Sequence, residues 1–106
     1  MAQWLGQFTG NTHLTKVKDR EQQLRHAIEV MGTKQSPAER HTYMKTVERF
    51  AEQLLLARLH ALKSHIASVD PRDTKGLEAA QRKVSELEAE GVPGVLSAFE
   101  VSADAN

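Results

Sequence analysis

Apolar positions along this chain recur at spacings of three and four almost from end to end, and no stretch alternates strictly between polar and apolar residues. That period marks helices with one face in a core and leaves no candidate strand. Glycine and proline punctuate the pattern at Gly6, Gly10, Gly32, Pro37, Pro71, Gly76, Gly91, Pro93 and Gly94. Between those marks the spacing predicts a first helix over 12–31, a second over 37–69, and a third from Asp73 or Thr74 to Gly91.

The first helix gathers Leu14, Val17, Leu24, Ala27, Ile28 and Met31 on one side. Asn11 or Thr12 caps its free amides, and Gly32 suits the left-handed exit. Its middle is thin, because Glu21 fills the turn between Val17 and Leu24. The second helix opens with Ser36-Pro37-Ala38-Glu39. Serine as cap, proline at the first helical position and glutamate three residues after the cap form a capping box. No glycine or proline follows until Pro71, so the sequence predicts one unbroken rod of roughly 50 Å. A compact chain of this length has a radius of gyration of about 13 Å. A bend needs a local cause, so the rod is expected to project instead. In the third helix Leu77, Ala80, Val84 and Leu87 form a narrow seam, and Leu87 with Val92 fits the apolar contact of a Schellman stop at Gly91. Val95, Leu96 and Phe99 then line a short C-terminal helix.

The expected fold is all-α: an antiparallel three-helix bundle with one long central helix and a short C-terminal helix. It forms a single domain over 1–106, with an aromatic arm at 1–11 and a flexible tail at 102–106. At about 100° per residue, the long helix carries a stripe through Met44, Val47, Ala51, Leu54, Leu55, Leu59, Leu62, Ile66 and Val69. Phe50 and Leu56 lie off that stripe, and Leu54, Leu55 and Leu56 together cover about 200° of the circumference. One neighbour cannot cover that arc. Enclosure on several sides is expected, by the other helices and by a second copy in a homodimer. Arg58 points into the stripe and needs a partner or a route to water.

Composition narrows the function. Hydrophobic residues make up 40% and charged residues 26%, a globular balance. Fourteen Lys and Arg equal fourteen Asp and Glu, and the basic patch of Lys16, Lys18, Arg20 and Arg25 is interrupted by Asp19 and Glu21. Nucleic-acid binding is therefore not expected. The absence of cysteine removes disulfides and thiolate chemistry. No apolar run is long enough for a membrane span, and a cytoplasmic protein is expected. There is no Gly-x-Ser-x-Gly elbow and no phosphate-cradling glycine loop. The Glu48/Glu52 and Glu86/Glu90 pairs sit among Lys45, Arg49, Arg82 and Lys83 as solvated helix surface.

The histidines, at 13, 26, 41, 60 and 65, hold the remaining chemistry. His26 with Glu29 has a spacing used in helical carboxylate metal sites, and His65 with Asp70 resembles one fragment of the hemerythrin ligand pattern. Further ligands are lacking, so no metal or cofactor is assigned and a helical metal-binding protein is the lowest alternative. His60-Ala61-Leu62-Lys63-Ser64 resembles the phosphohistidine motif of histidine-containing phosphotransfer domains. That resemblance implies a phosphoacceptor at His60 with Lys63 offsetting the phosphoryl charge. Ser64 stands where that family carries glycine.

The leading expectation is a non-enzymatic protein–protein interaction module acting through helix–helix association. Its expected interface comprises Val47, Phe50, Leu54, Leu55, Leu56, Arg58, Leu59, Leu62 and Ile66 on the long helix, with Trp4 and Phe8 of the arm.

Overall fold

The computed structural model describes residues 12–101, with side chains from Thr15 onward. The arm with Trp4 and Phe8, and the tail at 102–106, lie outside the described residues. Within them there are three helices and no strand: α1 (Thr12–Gly32), α2 (Pro37–Ser68) and α3 (Thr74–Ala98). Both α1 and α3 pack against α2. The connections over 33–36 and 69–73 are too short for anything but antiparallel neighbours.

The start of α2 is built as its sequence predicts. Ser36 is extended, and its Oγ accepts the Glu39 N–H at 3.1 Å. The Glu39 carboxylate in turn receives the Ser36 hydroxyl at 3.1 Å, so the return half of the capping box runs through the side chain. From there α2 continues unbroken for 32 residues. At about 1.5 Å per residue it spans about 48 Å, most of the 56 Å long axis of the molecule. The radius of gyration is 15.8 Å, above the roughly 13 Å of a compact chain of this size.

The α2–α3 turn is held by its own acids. Asp70 accepts the Arg72 backbone N–H at 2.9 Å and its guanidinium at 3.3 Å. The backbone bond first, and the side-chain bond second, hold the Asp70 carboxyl below its ordinary 3.8. The stabilisation is thus present above that ordinary value and is lost as pH falls through the lowered one. Asp73 then caps α3, its Oδ1 accepting the Gly76 N–H at 3.0 Å.

The third helix departs from expectation at Gly91, where φ is 59° and ψ −157°. That conformation belongs to a region open essentially to glycine alone. It is not the left-handed cap of a Schellman motif, whose ψ lies near +47°. Gly91 is therefore a corner between two helical segments, and Pro93 sits in the first turn of the second, where its missing N–H costs least. The Schellman closure forms at the far end of that segment. Glu100 adopts φ 61°, its N–H reaches Ser97 O at 3.0 Å, and the Val101 N–H reaches Leu96 O at 2.8 Å. Val101 and Leu96 supply the accompanying apolar contact within one cluster.

The corner at Gly91 joins two cores that share α2. One holds Leu62, Ala80 and Leu87, flanked by Leu55, Leu59, Ile66 and Val84. The other holds Val17, Leu24 and Ala27 from α1, Val47, Ala51, Leu54 and Ala61 from α2, and Val95 and Leu96 from the terminal segment. Before Gly91, α3 serves the first of these; after it, the chain crosses to the second. Leu54 has no exposure, whereas Leu56, two positions on, is 56% exposed. Leu54→Ala is expected to cost about 2–5 kcal/mol in urea denaturation, and Leu56→Ala to stay within about 0.5 kcal/mol of the parent.

Candidate functional site

Two features stand out from the packing: a buried arginine beneath the terminal segment, and a cleft on the outer side of α2. Arg58 is 9% exposed, the one charged residue among the buried described residues. Its Nη2 lies 3.6 Å from Glu21 Oε1, beyond hydrogen-bond range, so the pairing is chiefly Coulombic. Its Nε is buried with no hydrogen-bond partner. Arg58 faces a cavity of about 340 Å3 with Glu21, Arg25, Ala98, Phe99 and Glu100, and the Arg25 guanidinium lies 5.0 Å over the Phe99 ring. Glu21, which thins the apolar face of α1 in sequence, is thus the counter-charge that lets Arg58 occupy the core.

On the opposite side of α2, Leu56 projects outward beside a cleft of about 250 Å3. Lys16 and Arg20 of α1 form one wall, and Gln53, Leu56, Ala57 and His60 of α2 form the other. Arg49 and Lys63 lie seven residues before and after Leu56, hence on the same face, and both are exposed. Glu52 shares that face.

The expected interface residues are distributed unevenly. Val47, Leu54 and Leu62 are buried in the chain's own cores, while Phe50, Leu55, Leu59 and Ile66 are half-buried against them. Enclosure from several sides therefore holds for Leu54 and in part for Leu55. It does not extend to Leu56, which is left uncovered at the edge of the α1–α2 cleft, with Lys16 and Arg20 of α1 on its other wall. His60 and Lys63 are exposed, and Ser64 and His65 half-buried. Lys16 and Arg20 were not singled out for this surface by sequence reasoning. Their basic spacing was visible, but their placement beside Leu56 is set by the register between α1 and α2.

A larger concavity of about 560 Å3 opens between the end of α2 and the start of α3, where His65, Asp70 and Asp73 line it together with Leu62 and Lys83. Among the described residues, no three His, Asp or Glu side chains converge as a metal-binding group. No helix among them is long and apolar enough to cross a membrane. Comparison with protein-family models, curated proteins and solved structures returned no match.

Removing the Glu21 carboxylate leaves the Arg58 guanidinium buried and uncompensated. With the Glu21 side chain itself 30% exposed, Glu21→Ala is expected to cost about 1–2 kcal/mol in chemical denaturation. The double variant Glu21→Leu with Arg58→Met, which replaces the pair by apolar groups of similar length, is expected to fall within about 1 kcal/mol of the parent.

Proposed function

We propose that this chain is a non-enzymatic protein–protein interaction module whose docking face is the outer side of α2, centred on Leu56. The observation that carries the reading is the exposure of Leu56, 56%, at the edge of a cleft walled by a second helix. An isolated exposed leucine is ordinary on a protein surface. One beside a cleft with a charged rim has the layout of an interface anchor, an apolar centre ringed by polar residues. A second copy of the chain is one partner this reading admits.

A photo-crosslinking amino acid at Gln53 is expected to trap a polypeptide that Leu56→Asp no longer holds, while the thermal midpoint of that variant stays within about 3 °C of the parent. No adduct, or an adduct indifferent to Leu56→Asp, defeats the reading. An adduct of twice the chain's mass marks self-association.

A second reading draws support from the exposure of His60 and Lys63 on the same helix face. There the imidazole nitrogen accepts a phosphoryl group from an acyl phosphate, the P–O bond breaks and the carboxylate leaves. The ammonium of Lys63, with Lys16 and Arg20 across the cleft, offsets the added charge. Incubation with acetyl phosphate is expected, on this reading, to give an acid-labile adduct that His60→Gln abolishes.

A further inference from the structure

We propose that the cleft beside Leu56 receives an acidic amphipathic helix of a different protein. One apolar side chain of that helix seats against Leu56 and Ala57, with carboxylates on either side of it. The inference rests on the association reading above and narrows it to one kind of partner. A volume of about 250 Å3 suits a single large side chain, so the partner's backbone stays outside while one anchor enters. Around that anchor basic residues outnumber acidic ones. Lys16 and Arg20 stand on the α1 wall, and Arg49 and Lys63 lie about 10.5 Å from Leu56 in each direction along α2. Against them the face carries Glu52, with Asp19 at the outer rim of α1. The chain as a whole has a formal net charge of +0, so this basic surplus is a local property of the surface.

An anchor with acids one to two turns before and after it meets that arrangement from a single crossing helix. Exposed basic side chains keep their charges in water, where they steer an acidic partner and select against a basic one. A second copy of this chain fits less well, because a two-fold contact through Leu56 sets the same cations against one another. Nucleic acid would use the cations but would bring phosphate to Leu56 and Ala57, leaving the apolar cleft without a role.

The test uses the full chain and three synthetic peptides of about 18 residues, long enough to form a helix on a surface. The first has leucines at helical spacing flanked by glutamates. The second has lysine for each glutamate, and the third has serine for each leucine. Amide shift mapping is expected to place the acidic peptide at Gln53, Leu56, Ala57 and His60, with affinity falling about tenfold in Arg20→Glu or Lys63→Glu and again on raising the salt. The lysine and serine peptides are expected not to bind. Equal binding of the lysine peptide, shifts confined to another face, or stronger displacement by a short DNA duplex overturns the proposal. If the acidic peptide fails while the Gln53 crosslink is still lost in Leu56→Asp, the acidic-partner inference falls and the association reading stands. If both fail, both fall.

Discussion

The length of α2 governs the rest of the molecule. A helix of 32 residues offers a longer apolar stripe than a 21-residue α1 can cover, and its stripe is wider than one neighbour can close. The chain meets that demand by dividing the stripe. The α1 side supplies Val17, Leu24 and Ala27, the first segment of α3 supplies Ala80 and Leu87, and the segment after Gly91 returns to the α1 side with Val95 and Leu96. The corner at Gly91 is what makes that return possible, since an uninterrupted α3 would run on past Leu87 in a straight line.

Arg58 shows the same economy at the scale of one side chain. Its position in the stripe places a charge in the core, and the desolvation cost of a lone guanidinium there is large. Glu21 meets it from α1, while Phe99 and Ala98 of the returning segment line the space around it. The ion pair thereby ties α1 to α2 beneath the returning segment of α3. Whether it adds net stability is secondary; it penalises any register that separates Glu21 from Arg58, and so it specifies how α1 sits on α2.

Much of this organisation was legible in the sequence, and the exceptions have physical reasons. The ends of α1 and α2 fell within one residue of the expected bounds because caps, proline and glycine act locally. The all-helical character followed from period, and the unbroken second helix from the lack of glycine and proline between Ala38 and Asp70. The stop at Gly91 was placed correctly but its conformation was not, because a glycine tolerates several positive-φ geometries and sequence does not say which one packing selects. Leu56 was recognised as lying off the stripe, yet its surroundings were not, since the nearness of Lys16 and Arg20 depends on inter-helix register. Glu21 looked like a weakness in α1 until Arg58 was seen across from it. Pairings between helices are the level at which one-dimensional periodicity stops carrying information.

Glu100 gives the C-terminal closure a particular character. A residue with a side chain occupies the left-handed position that glycine ordinarily fills, at a conformational expense of about 1 kcal/mol. The two terminal hydrogen bonds and the Val101 contact therefore hold against a standing strain, in the segment that lines the Arg58 cavity. That strain lowers the threshold for local opening of this segment. Because Phe99 and Glu100 line the same cavity as Arg58, the strain at one backbone angle is coupled to the hydration of the one buried charge among the described residues.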